Sequence, residues 1–212
     1  MLIVALTGGI ATGKSVIAAI LKKRGCYIHE ADRIARELMK PGRPAWQGVA
    51  CHFGSRILNP DGTINRPRLG QIVFSNKAER EFLNRLMHPL VLARKKQAVR
   101  RLEKAGRHKI FVSEAALTIE SGFLSFFDKI IVADCPEEIQ VQRLMGRDGL
   151  SLQDARKRIR SQMPAVEKLK YADYGVDTSG SLEQTARRTE WVYRKLLRAY
   201  RNKQKNRAAS GG

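Results

Sequence analysis

Gly8-Gly9-Ile10-Ala11-Thr12-Gly13-Lys14-Ser15 fits G-x-x-x-x-G-K-[ST], the spacing of a phosphate-binding P-loop. Leu2-Ile3-Val4-Ala5-Leu6-Thr7 precedes it, a short apolar run that reads as a buried parallel strand. Val16-Ile17-Ala18-Ala19-Ile20-Leu21 follows it and is apolar enough to be a helix packed on that strand. The motif therefore sits at a strand-to-helix turn. There, successive backbone N–H groups from Gly8 to Val16 and the helix N-terminus converge on one anion. The glycines let the backbone close around phosphate without a Cβ in the way. Lys14 reaches the β- and γ-phosphates, and the Ser15 hydroxyl is a Mg²⁺ ligand. A dinucleotide-binding turn is disfavoured, because the glycines lack G-x-G-x-x-G spacing and Lys-Ser is foreign to that fingerprint.

The chain has 212 residues, enough for one good core with an embedded subdomain. No apolar run reaches 18 residues, so no membrane span is expected. The six-residue N-terminal run lacks a basic flank and leads directly into the P-loop, so it reads as a core strand and not a signal peptide. Cys26, Cys51 and Cys135 are odd in number and widely spaced. They indicate neither a zinc site nor a disulfide framework, and read as reduced thiols of a cytoplasmic protein. The net charge is +20, from 40 basic and 20 acidic residues, which favours polyanionic partners without choosing among them.

Further along, Lys22-Lys23-Arg24-Gly25 ends the P-loop helix, with Gly25 just past its last turn. Cys26 to His29 is a second short strand, and Ala31 to Met39 a helix, which puts Asp32 at a strand-to-helix junction. In an open parallel sheet all such junctions lie at one edge, so Asp32 and the P-loop are expected to share a cleft. Residues 45–108 hold no convincing buried strand. They read as a helical insertion, with a turn at Asn59-Pro60-Asp61-Gly62 and a long helix from Glu79 to Lys104 that Pro89 kinks or divides. Strands are expected at 109–113, 129–133 and 174–176. Helices are expected at 137–147, from Ser151 to about Met163, and after the capping box Ser181-Leu182-Glu183-Gln184. The stretch Arg194 to Arg207, with seven basic residues and no acidic one, is expected to fray before Ser210-Gly211-Gly212. Alternating strands and helices give an α/β fold with a doubly wound five-stranded parallel sheet.

Several residues are candidates for chemistry. Asp32 is placed to orient an acceptor hydroxyl and take its proton, or merely to favour a helix N-terminus. Glu114 ends the third strand, where a carboxylate can hold Mg²⁺ directly or through water, or be merely a solvated strand-end charge; Glu120 is a weaker candidate and reads as a surface residue. Arg143 and Arg147, spaced i, i+4, share a helix face and can neutralise transferring phosphoryl oxygens; a solvated basic face is the plainer alternative. His88-Pro89 is a candidate substrate contact, although a lone histidine is more often structural.

Taken together, Thr7 to Ser15, Ala31-Asp32-Arg33-Ile34-Ala35, Phe53-Gly54, Asp61-Gly62 with Arg66, Leu69-Gly70, Val73-Phe74, His88-Pro89, Gln140, Arg143-Leu144, Arg147, Gln162 and Ala172-Asp173 resemble the dephospho-CoA kinases, in the family's order across residues 2–180. The resemblance implies transfer of the γ-phosphoryl group of ATP to the ribose 3′-hydroxyl of dephospho-CoA, with Mg²⁺. It also implies a P-loop kinase core (1–40, 109–137 and 165–212), a helical CoA-binding insertion (41–108) and a small helical lid (138–164). On it, Asp32 is the general base, and Lys14 and Arg143 act with it in catalysis. Arg147 joins the loop in binding ATP, Arg66, His88 and Glu114 fall to the acceptor side, and Ser15 and Glu114 hold metal. The sequence departs from the family at three places. Ala11 stands where Gly is usual, which the loop is expected to tolerate only at negative φ. Ser113-Glu114-Ala115-Ala116-Leu117-Thr118-Ile119-Glu120 replaces a usual Asp-x-Pro-Leu-Leu-Phe-Glu, and Thr178 replaces Asn.

The rivals are another small-molecule P-loop kinase acting on a nucleoside or nucleotide, and a nucleic-acid-binding ATPase suggested by the charge. A GTPase switch fails on motif order, because Asn76-Lys77-Ala78-Glu79 precedes the only suitable D-x-x-G at Asp177 to Gly180. No RNA-recognition or zinc-finger signature is present, so specific nucleic-acid recognition is not expected.

Overall fold

The computed structural model describes residues 1–209, the side chain of Phe74 excepted. Five strands, β1 (Leu2–Gly8), β2 (Tyr27–Glu30), β3 (Ile110–Glu114), β4 (Lys129–Asp134) and β5 (Tyr174–Asp177), form one sheet in the order β2-β3-β1-β4-β5. β1 runs parallel to β3 and β4 on its two sides, with Leu6 beside Glu114 and Gly8 beside Ala133. The order reverses on either side of β1, so this strand carries the switch point at which open α/β sheets bind ligands.

Both faces of the sheet are covered, which is why β1 is apolar from Leu2 to Leu6 rather than alternating. Leu2, Val4 and Leu6 pack with Ile17 and Leu21 of α1 (Lys14–Lys23) and with Val192 and Leu196 of α9 (Leu182–Ala209). Ala5 points to the opposite face and joins Ile119, Ile130 and Val132. Gly25 has φ +86° and its N–H bonds the Lys22 carbonyl at 2.9 Å, closing α1 as its glycine suggested.

The chain divides into two compact units, Met1–His29 with the stretch from Val99 onward, and Glu30–Ala98. The second is helical: α2 (Ala31–Leu38), α3 (Pro44–Phe53), α4 (Arg66–Ser75) and the greater part of α5 (Lys77–Ala105). Val49, Phe53, Ile57, Leu69 and Val73 form its core. The 59–62 turn is there: the Gly62 N–H bonds the Asn59 carbonyl at 2.9 Å, and the Trp46 indole N–H caps the Gly62 carbonyl at 2.8 Å. Pro89 does not divide α5, which passes through it as one 29-residue helix. A proline removes one helical donor, and the helix continues through that gap with Met87 buried before it and Val99 after.

In the first unit, α6 (Glu137–Asp148) and α7 (Leu152–Arg160) pack on each other around Val141, Leu144 and Ala155. The Ser151 hydroxyl caps α7 by accepting the Asp154 N–H at 3.1 Å. This helix stops at Arg160 instead of Met163, because Pro164 begins a further short helix, α8 (Ala165–Leu169), that the sequence reading lacked. The capping box of α9 is reciprocal: Gln184 N–H to Ser181 Oγ at 3.1 Å and Ser181 N–H to Gln184 Oε1 at 3.0 Å. The stretch expected to fray is helical to Ala209. Its side chains explain this: Lys203 pairs with Asp128, and Arg207 reaches Glu103 at 3.7 Å. Ser210-Gly211-Gly212 lie outside the described residues. Among those described, no helix is long and apolar enough to cross a membrane.

Candidate functional site

The loop between β1 and α1 is shaped by close approaches. At Gly8, with φ +143°, a Cβ would lie 2.3 Å from the Ala133 carbonyl oxygen, so no side chain fits. The Thr12 hydroxyl donates to the Gly9 carbonyl at 2.9 Å. The Lys14 ammonium curls back over the loop and donates to the carbonyls of Gly8 at 3.1 Å and Gly9 at 2.7 Å. That holds a positive charge at the concave side of the turn. The Ile10 N–H is taken by Gln162 Oε1 at 2.9 Å, and the Val16 N–H closes the first helical turn on Gly13 at 3.0 Å. The opening N–H groups of α1, at Gly13, Lys14 and Ser15, belong to a first turn that has no carbonyl of its own to bond. Ser15 is exposed there.

Ala11 overturns an expectation. Its φ is +60°, so the loop keeps at this position the left-handed backbone that a glycine would adopt, and an alanine bears it. Neighbouring contacts hold that geometry in place. Arg143 Nη1 donates to the Ala11 carbonyl at 3.3 Å and to the Thr178 hydroxyl at 3.2 Å, while Nη2 donates to the Thr178 carbonyl at 2.6 Å. The Thr178 hydroxyl lies 2.9 Å from the Thr12 carbonyl and 3.2 Å from the Asp134 carbonyl. Arg143 also approaches Cys135 Sγ at 3.6 Å, and burial pushes that thiol up more than the guanidinium pulls it down. Gln140 supports the same corner through Nε2 to the Cys135 carbonyl at 3.0 Å.

A cavity of about 350 Å³ opens beside this corner, lined among others by Ala11, Ser15, Arg143, Arg147, Thr178 and Leu182. The structure thus brings both arginines of α6 to the P-loop. Arg147 is the more exposed and is held by Asp148, Nε to Oδ1 at 2.8 Å and Nη2 to Oδ2 at 3.0 Å, which raises its pKa and keeps the guanidinium charged.

At the end of β3, half-buried Glu114 sits in register with Leu6. The segment after it, which departs from the family pattern, is gripped by polar contacts. Thr7 Oγ1 donates to the Ala116 carbonyl at 3.1 Å, and Lys168 Nζ donates to the same carbonyl at 2.7 Å. Lys168 is fully buried and pairs with Glu120 at 2.8 Å. Glu120 is therefore not the surface residue expected, but the counter-charge of a buried lysine. No group of three or more His, Cys, Asp or Glu side chains gathers among the described residues. A sparse oxygen set such as the Ser15 hydroxyl and the Glu114 carboxylate suits Mg²⁺, which keeps waters and takes phosphate oxygens as its other ligands.

In the helical unit, Asp32 opens α2 and is exposed, and Arg66 opens α4 behind the Asn65 cap. Burial lowers the Arg66 pKa, repulsion from Arg36 lowers it further, and attraction to Asp32 raises it. Burial pulls buried Lys95 of α5 down to about 8, against the attraction of Asp32. Asp32 and Arg66 are thus neighbours, together with Arg36 and Lys95, which the sequence reading did not single out. Neither belongs to a motif; Lys95 was hidden because a lysine in a helical pattern reads as a solvated face. His88 lies half-buried on α5.

Comparison with known proteins follows the same line. The sequence model of the family described as Dephospho-CoA kinase matches residues 2–184. A dephospho-CoA kinase of Carboxydothermus hydrogenoformans is 46% identical over 183 residues, 86% of this chain and 88% of that protein. The solved dephospho-CoA kinase of Campylobacter jejuni superposes with a TM-score of 0.66 at 30% identity, over 93% of this chain and 98% of that one. A shikimate kinase of Acinetobacter baumannii, at 15% identity and a TM-score of 0.56 over 94% of both chains, shares the fold.

Proposed function

This chain belongs to the dephospho-CoA kinase family, and we propose on that premise that it transfers the γ-phosphoryl group of ATP to the ribose 3′-hydroxyl of dephospho-CoA, giving CoA and ADP. The observation that carries the reading is the family match across 2–184, which includes a P-loop whose lysine folds over Gly8 and Gly9. Phosphoryl transfer asks a protein mainly to position two substrates and to balance charge.

Each residue then has a task. The N–H groups that open α1 take up phosphate oxygens, and Lys14 leaves its two carbonyls for the β- and γ-phosphates. The cavity of about 350 Å³ takes the rest of the nucleotide. Arg147 supplies charge there, and Arg143 both lines the cavity and holds the loop. Ser15 and Glu114 hold Mg²⁺, which when bound neutralises charge on the phosphates. Asp32 orients the acceptor hydroxyl and accepts its proton. Arg66, whose guanidinium feels the charge of Asp32, and His88 contact the acceptor; Arg66 gives an anionic group on that substrate a bidentate partner.

The test is a coupled ADP-release assay with Mg-ATP against dephospho-CoA, adenosine and common nucleoside monophosphates. Turnover with dephospho-CoA is expected. Turnover with another acceptor and none with dephospho-CoA overturns the assignment in favour of a nucleoside or nucleotide kinase. Asp32→Asn is expected to abolish turnover while ATP still binds; full activity reduces Asp32 to a helix-end carboxylate.

A further inference from the structure

The charge of +20 is far more than two polyphosphate substrates require, and much of it is concentrated in one element. The family match ends at residue 184, whereas α9 continues to Ala209. After Glu190 that helix holds Arg194, Lys195, Arg198, Arg201, Lys203, Lys205 and Arg207, and no carboxylate.

Their order along the helix is not random. Arg187, Trp191, Arg194, Arg198, Arg201 and Lys205 follow one another at alternating steps of four and three, so they form a single stripe. All six are exposed. From Arg187 to Lys205 the stripe is about 27 Å long at a rise of about 1.5 Å per residue. Arg187 and Arg194 are partly engaged, by Glu183 at 2.6 Å and Glu190 at 3.8 Å. Arg198, Arg201 and Lys205 have no ion pair among the described residues. The opposite face, with Val192 and Leu196, is buried against the sheet. Trp191, 54% exposed, stands inside the stripe, with Lys195 Nζ 5.1 Å from its ring centroid. Beside it is a cleft of about 610 Å³ walled by Ile20, Arg24, Ala186, Arg187, Trp191 and Arg194.

We propose that the outer face of α9 binds single-stranded nucleic acid without sequence preference, its arginine and lysine stripe following the phosphates and Trp191 stacking on a base. A row of cations with an aromatic ring set among them is the chemistry that holds an unpaired strand. A duplex satisfies the cations but gives the indole no free base face. An anionic membrane surface is the weaker match, because an interfacial helix needs an apolar face to insert, and that of α9 is already covered by the sheet.

Fluorescence anisotropy of a labelled RNA of about 12 nucleotides, within the range of single-strand sites, tests this on the full chain. Four proteins are compared: the parent, the triple Arg194→Glu/Arg198→Glu/Arg201→Glu, the single Trp191→Ala, and a charge-matched control, Arg100→Glu/Arg101→Glu/Lys104→Glu, on the exposed face of α5. The stripe triple is expected to weaken binding at least tenfold more than the control. It is also expected to flatten the slope of log K against log salt by about 2, since each phosphate left without its arginine removes about 0.7. Trp191→Ala is expected to weaken single-strand binding by roughly tenfold and duplex binding far less. Thermal melts confirm that each variant is folded. Equal losses in the stripe triple and the control overturn the proposal. So do equal affinities for single strand and duplex that are indifferent to Trp191, or binding to phosphatidylserine vesicles with none to the RNA.

Discussion

Arg143 donates to the carbonyl oxygen of Ala11, 132 positions earlier in the chain, at 3.3 Å. Ala11 is also the one non-glycine residue at positive φ among those described, at +60°. The two facts belong together. A left-handed alanine costs about 1–2 kcal/mol, and it persists because Arg143, Thr178 and Thr12 fix the peptides around it.

Ala11→Gly should therefore relieve strain in place. The gain is offset in part by the greater freedom of glycine in the unfolded chain, so a net stabilisation of about 0.5–1 kcal/mol in urea unfolding is expected. A variant less stable than the parent shows that the left-handed conformation carries no strain.

The Thr178 hydroxyl ties the same loop to the end of β5. Thr178→Val keeps the side-chain shape and deletes the hydroxyl. The Thr12 carbonyl loses its partner, at about 1–3 kcal/mol. The KM for ATP should rise roughly five- to 150-fold through that loss, with the KM for the acceptor unchanged. Steady-state kinetics with each substrate varied in turn checks this. An equal rise in both constants removes Thr178 from the nucleotide side.

Lys95 couples stability to pH. Its folded pKa is about 8 against an ordinary 10.5. Between those values the unfolded chain binds a proton that the folded chain has released, so the Lys95 contribution makes the protein more stable as pH rises through this window. Below about 8 the full penalty of burying the charge is present, on the order of 3 kcal/mol. Lys95→Met should remove this slope. Urea unfolding of both proteins at pH 7 and pH 10 gives the difference. The same gap at both pH values contradicts a depressed lysine.

Lys168 and Glu120 form an ion pair with the lysine wholly buried. Removing one partner leaves the other charge uncompensated, so Lys168→Met should lose about 3–5 kcal/mol. The double variant Lys168→Met/Glu120→Leu should recover most of that. Strictly additive losses in a double-mutant cycle by urea unfolding rule out a coupled pair.

The elements legible in the sequence were those with local causes. The run Leu2 to Thr7, five of its six residues apolar, marks a strand, Gly25 ends α1, and Ser181 and Gln184 start α9 by satisfying each other's backbone groups. The end of α7 and the existence of α8 were missed, because Pro164 stops one helix and begins another within four residues of Arg160. The extent of α9 was missed for another reason. Charge repulsion along Arg194–Arg207 argued for fraying, and only the packing of Val192 and Leu196 and the distant carboxylates Asp128 and Glu103 outweigh it.

The chemistry of the donor loop is written in local spacing: glycines at set positions, a lysine and a serine at the helix start, and a family pattern running with them to residue 184. These depend on neighbours in the chain or on residue types at set spacing. It takes the folded chain to make Ala11 left-handed, to brace it with Arg143 and Thr178, to set Glu120 against a buried lysine, and to bury Lys95 near Asp32. Each of these depends on groups many positions apart meeting where water is excluded. There an unpaired charge or carbonyl costs enough to dictate its partner, and no local pattern in the chain records that meeting.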